Sequence, residues 1–210
     1  MTVYDLSVPT VHGADWYREP GCIPVRLRDV GSLAREGWLS HELSLMVLNG
    51  CTYLEAAGHV IEGGMTLDDL PPERLITRAF VLGPPREGRL LRAPPHDLVG
   101  FRAGEDALLL HCGWDTHLHA PDYYQASPYF AEDLQAWILR HRPAILGSDV
   151  LSFDDPAGQS MPFVNAFFRQ GGLILCPLVG LSRLPTIVTL CAAPLRLQGA
   201  NAAPCRALAW

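Results

Sequence analysis

Apolar residues fall in short runs along this chain, separated by glycine, proline and polar clusters. Residues 3–7 predict a first strand. A loop over residues 12–24 follows, holding Trp16, Tyr17, Pro20, Gly21 and Pro24, and residues 25–30 predict a second strand. Residues 40–48 alternate and then turn wholly apolar, as a strand entering a core does, and Asn49-Gly50 predicts a turn after them. Thr66 and Asp69 stand at capping-box spacing, predicting a helical turn through Leu70 that Pro71-Pro72 stops. Further strands are expected at residues 78–82, 106–111, 144–147, 173–175, 187–190 and 195–197, with a surface loop over residues 84–95. Two segments carry helical periodicity. Residues 127–141 place Phe130, Leu134, Trp137 and Ile138 on one face, with Ser127-Pro128 as the start; residues 163–170 end at Gly171-Gly172. Strands predominate and do not alternate regularly with helices, which predicts an α+β fold rather than a doubly wound sheet.

Composition narrows the class. The chain has 210 residues, 49% of them hydrophobic, enough for one cored domain over residues 1–210. Its apolar stretches are too short to span a bilayer, so no membrane partner is expected. No charged-then-apolar leader opens the chain, and the cytoplasm is the expected location. Acids outnumber bases 22 to 16, and every base is an arginine. The arginines are scattered, which argues against nucleic-acid binding. The absence of lysine excludes Schiff-base chemistry. The six cysteines contain no Cys-x-x-Cys pair and read as free thiols.

The window from Ser40 to Leu70, SHELSLMVLNGCTYLEAAGHVIEGGMTLDDL, carries the most information. It resembles the cyclase family of metal-dependent hydrolases, which includes bacterial kynurenine formamidases, isatin hydrolase and ring cyclases of aromatic polyketide pathways. The hallmark of that family is His-x-Gly-Thr-His-x-Asp-x-Pro-x-His, followed by Gly-Gly and a Leu-Asp-x-Leu stretch. Other segments are similar in order: Asp5-Leu6-Ser7, EDALLLHCGW at residues 105–114, residues 145–155 against Gly-x-Asp-x-x-Ser-x-Asp, and APLRLQGANAAPCRA at residues 193–207. The resemblance implies a swivelling β/β/α-type domain, a β-rich mixed sheet or flattened barrel with few outer helices. It also implies a homodimer or higher homo-oligomer.

Against the hallmark, Asn49 stands at the first histidine, Cys51 at the glycine, Tyr53 at the second histidine, Glu55 at the aspartate and Ala57 at the proline. Thr52 and His59 are retained. The family's later histidine and glutamate correspond to the stretch Phe163-Val164-Asn165 and to Cys176. Zinc requires several imidazole, thiolate or carboxylate ligands, and amide and phenol are poor substitutes. The resemblance therefore implies no metal and no other cofactor here. In metal-bearing relatives the residue matching His59 serves as a general acid or base, work an imidazole performs without a metal.

The expected catalytic residues are His59, Glu55 and Tyr53, with Asn49, Trp16, Tyr17, Asn165 and Cys176 as substrate-binding residues. The resulting expectation is a metal-independent cyclase acting on a small aromatic, polyketide or related β-dicarbonyl substrate. In that reading His59 abstracts an acidic carbon-bound proton and ring closure is followed by loss of water. A hydrolase of an amide, lactone or cyclic imide with a metal site rebuilt from Glu55, His59 and Cys176 is the alternative; a non-catalytic ligand binder is the second. His111, Asp115, His117 and His119 read as a polar loop rather than a metal site. Asp149, Asp154 and Asp155 read as turn-shaping residues.

Overall fold

The strands are β1 (Tyr4–Asp5), β2 (Arg26–Ser32), β3 (Trp38–Ser44), β4 (Tyr53–Glu55), β5 (Ile76–Leu82), β6 (Arg86–Glu87), β7 (Leu90–Leu91), β8 (Ala107–Leu110), β9 (Tyr129–Phe130), β10 (Ile145–Ser148), β11 (Leu173–Cys176), β12 (Ile187–Pro194) and β13 (Ala202–Ala209). Two α-helices accompany them, α1 (Glu132–His141) and α2 (Pro162–Arg169). The structure, a computed structural model, describes residues 1–18, 21–158 and 160–210, so Pro20 lies outside the described residues.

The order β13-β12-β5-β8-β10-β11-β4 closes because β4 pairs back onto β13, giving a seven-stranded barrel with β1 attached to β13. The run β5-β8-β10-β11 is parallel and the remaining pairs are antiparallel. This is the expected α+β fold with a mixed, barrel-forming sheet and few helices. Strand alternation separates two cores. Leu54, Ala79, Leu109, Ile145, Leu175 and Ala207 pack inside the barrel. Tyr53, Phe80, Leu108, Leu146, Ile174 and Cys176 point outward, against Leu134, Trp137 and Ile138 of α1 and Phe163 and Phe167 of α2. No helix among the described residues is long and apolar enough to cross a membrane.

Four expectations need correction. Residues 84–95 are not simply a surface loop: β6 and β7 pair there, β7 also pairs with β9, and Leu91 is fully buried. Residues 40–44 do not enter the core: β3 pairs only with β2 in a separate two-stranded ribbon with every β3 residue exposed, while Val47 and Leu48 beyond it pack against the core. The alternation there reflects a two-faced ribbon, with Leu27 opposite Leu43 and Arg28 paired to Glu42. The first helix starts at Glu132, not Ser127. Tyr129 and Phe130 instead form β9 on β7, and Phe130 seats its ring against Phe153 and Phe163. Residues 195–197 are not a strand; the final strand is the alanine-rich β13, which pairs with β1, β4 and β12.

Candidate active site

Alternation along β4 sends Leu54 into the barrel and turns Tyr53 and Glu55 outward. On the neighbouring strand Cys176 pairs with Tyr53 and Ile174 with Glu55, so these four side chains share one face. A 3₁₀ turn at Ala57–His59 follows β4 and brings His59 back over Glu55, Nε2 standing 3.3 Å from Oε1. Thr52, the retained hallmark threonine, anchors the start of the strand: its hydroxyl donates to the Pro177 carbonyl at 2.7 Å and accepts from the Val8 N–H at 2.8 Å.

A cavity of about 420 Å³ opens on this face. Tyr53, Glu55, His59 and Ile174 form its floor. Tyr17 and Cys22 wall it before the hairpin, and Met46 and Leu48 after it. Tyr124, residues 151–156 and the start of α2 at Met161 and Val164 complete it. The size suits a small organic molecule. Tyr17 packs on Tyr124 with ring centroids 4.6 Å apart, giving the wall an aromatic surface.

Glu55 is 5% exposed, and Oε1 has no hydrogen-bond partner, because the nearby imidazole nitrogen is close but not aligned for one. Burial pushes the Glu55 carboxyl up to about 8 and draws His59 below the usual imidazole value. Both shifts favour a neutral pair near pH 7: a protonated carboxyl beside an unprotonated imidazole. Two titratable groups pushed apart in this way constitute an acid and a base.

The residues at the family's ligand positions do not fit a zinc-type cation. The Cys176 thiol donates to the Tyr53 hydroxyl at 3.1 Å, and burial holds both groups well above their ordinary pKa, as neutral thiol and phenol. Phenol and amide are poor donors for such an ion. Asn49 is fully buried and turned away: Oδ1 accepts from the Trp16 N–H at 2.7 Å, and Nδ2 donates to Asp15 Oδ1 at 2.9 Å. The turn that places it depends on Gly50, whose φ of +87° suits glycine and whose position leaves no room for a side chain against Val25.

Of the expected site residues, the structure gathers His59, Glu55, Tyr53 and Tyr17 around the cavity. The other four require correction, since none lines its wall. Asn49 fastens the loop before the hairpin. Trp16 is a core residue against Tyr123, ring centroids 6.0 Å apart. Asn165 turns its amide onto the Met161 carbonyl at 2.9 Å within α2. Cys176 is fully buried and spends its thiol on Tyr53. Sequence reasoning missed Ser152, Phe153, Met161 and Val164. Ser152 belongs to the Gly-x-Asp-x-x-Ser-x-Asp stretch, which marked the wall but not its chemistry.

The aspartates of that stretch act as expected. Asp149 accepts from the N–H groups of Cys112, Gly113 and Trp114 at 2.8–3.1 Å. Asp154 accepts from Phe163 and Val164 at 3.0 and 3.1 Å, stabilising the first turn of α2. His111, Asp115 and Asp149 bring ligand atoms within 4.8 Å of one another. Both Asp149 oxygens and Asp115 Oδ2 accept from backbone N–H groups, Asp115 Oδ2 from Gly180 at 2.8 Å. His117 stacks on Trp114 at 4.0 Å between centroids.

The family model described as Cyclase, putative cyclase, matches residues 4–155. No curated protein sequence matches the chain. Solved structures share the fold. One described as a potential metal-dependent hydrolase with cyclase activity is 22% identical, with a TM-score of 0.78, covering 99% of this chain and 96% of its own. Isatin hydrolase A from Labrenzia aggregata, bound to benzyl benzoate, is 19% identical with a TM-score of 0.79, covering 99% and 93%. Isatin hydrolase A from Ralstonia solanacearum is 18% identical with a TM-score of 0.79, covering 99% and 91%.

Proposed function

The chain belongs to the putative cyclase family, and from that premise we propose that it is an enzyme that closes a ring in a small β-dicarbonyl or polyketide-like substrate without a metal. One arrangement carries this reading: the buried Glu55 carboxyl, its Oε1 unpartnered, stands 3.3 Å from the His59 imidazole on an aromatic-walled cavity, and burial favours the neutral form of each. His59 takes a proton from a carbon between two carbonyls. The resulting enolate carbon bonds to a second carbonyl carbon, and the oxygen formed there takes the Glu55 proton. In the dehydration that follows, the Glu55 carboxylate removes a second α-proton. The hydroxyl departs as water with the proton held on His59, and both residues return to their starting forms. Tyr53 donates no proton in this cycle; its hydroxyl holds the floor rigid through Cys176.

Hydrolysis of an amide, lactone or cyclic imide fits less well. It needs an activated water, and the thiol required for a rebuilt metal site lies off the cavity wall. It also produces a carboxylate, for which the described lining residues provide no arginine. The test uses two neutral bicyclic probes. The protein is expected to exchange the α-protons of 2-tetralone in D₂O, followed by NMR, and to leave isatin unopened. Isatin opening without tetralone exchange would overturn the reading in favour of the hydrolase.

A further inference from the structure

Four buried side-chain polar atoms among the described residues lack a hydrogen-bond partner: Glu55 Oε1, Thr77 Oγ1, Trp137 Nε1 and Ser152 Oγ. Two of the four, on Glu55 and Ser152, belong to residues lining the same cavity. Leaving such a group unpaired is costly, and native structures seldom do so without a reason. Ser152 is 6% exposed and follows Leu151 in the 151–156 segment that lines the same cavity as Tyr53 and Glu55 of β4. Its hydroxyl has no partner within the protein and is free to bond a ligand in the cavity that Ser152 lines. Glu55 carries the second unpaired atom, Oε1, on the same cavity.

The charge of the wall points the same way. Among the described lining residues Glu55, Asp154 and Asp155 are acids, His59 is the one residue that can become cationic, and none is an arginine. The chain contains no lysine. The positive end of α2, which could otherwise hold an anion, is already filled by the Asp154 carboxylate. A carboxylate or phosphate entering the cavity would be desolvated with no cation to meet it, which is heavily penalised.

We infer that the cavity selects uncharged aromatic compounds bearing ketone, enol or amide oxygens, and that Ser152 is a binding residue that holds one of those oxygens opposite Glu55. This names the substrate class of the cyclase reading and rests on it. The test is calorimetric binding, at pH 7, of two compounds of nearly the same shape, 1-hydroxy-2-naphthamide and 1-hydroxy-2-naphthoate. The expected result is that the full-length protein binds the neutral amide at least tenfold more tightly than the carboxylate. Ser152→Ala is expected to weaken amide binding about five- to tenfold with an unchanged melting temperature. Equal or tighter binding of the carboxylate, binding of neither compound, or full amide affinity in Ser152→Ala would overturn the inference. The amide–carboxylate contrast in the parent protein stands even where the variant misfolds. Because turnover is not needed, loss of tetralone exchange with amide binding intact would sink the catalytic reading and leave this one standing.

Discussion

Replacing His59 with alanine is expected to slow α-proton exchange of 2-tetralone by about 10²–10⁴-fold, the usual contribution of a positioned general base. The folded protein should survive the change. The His59 side chain is 29% exposed and lines the cavity, so its removal widens a cavity that already exists and leaves the core intact. Substrate affinity should change little, because the binding surface is supplied mainly by Tyr17, Met46, Leu48 and Phe153. A fall in kcat with KM nearly constant is the signature of a group that acts only in the transition state. Exchange at the parental rate in folded His59→Ala would remove the imidazole from the chemistry.

Glu55→Gln is expected to stabilise the protein at alkaline pH while abolishing turnover. Burial raises the Glu55 carboxyl from 4.5 to about 8. Between those values the folded state keeps a proton that the unfolded chain releases, so stability falls as pH rises from about 4.5 and levels off above about 8. The whole interval corresponds to on the order of 4–5 kcal/mol, at ~1.4 kcal/mol per pH unit. Glutamine has nearly the same shape and no proton to lose. Urea unfolding of parent and variant from pH 5 to 9 should give curves that diverge upward in pH, with the variant several kcal/mol more stable at pH 9. His59, drawn below the usual imidazole value by burial, and the cysteines are common to both proteins, so the difference isolates Glu55. Parallel curves would show that the carboxyl is not held protonated.

The grouping of Tyr53, Glu55 and His59 on one cavity was legible because these residues are local. Tyr53 and Glu55 are two apart on a strand, and His59 is four residues beyond Glu55, so one short segment fixes their relation. The same applies to the Thr66–Asp69 capping box, which forms as expected at the start of the turn Leu67–Asp69. Features decided at long range were not legible. β13 is rich in alanine, a poor strand former; pairing with three strands makes it one, and small side chains let it pack inside the barrel. Asn49 has the chemistry of an oxyanion donor, but a loop thirty-odd residues earlier claims its amide. Cys176 sits at a ligand position, yet its pairing across to Tyr53 places the thiol on a phenol. Ser152 stood in a motif whose aspartates drew attention as turn formers, and only the closed fold shows that the serine between them is left unpaired at a cavity.

The central claim is that imidazole and carboxyl act here where related proteins are described as metal-dependent. Metal content and exchange activity measured on the same sample test it most directly. The purified protein is treated with a strong chelator, its zinc and manganese are quantified by mass spectrometry, and tetralone exchange is followed before and after. The account predicts well under one metal ion per chain and an undiminished rate. A rate that disappears with the metal and returns when zinc or manganese is restored would contradict it.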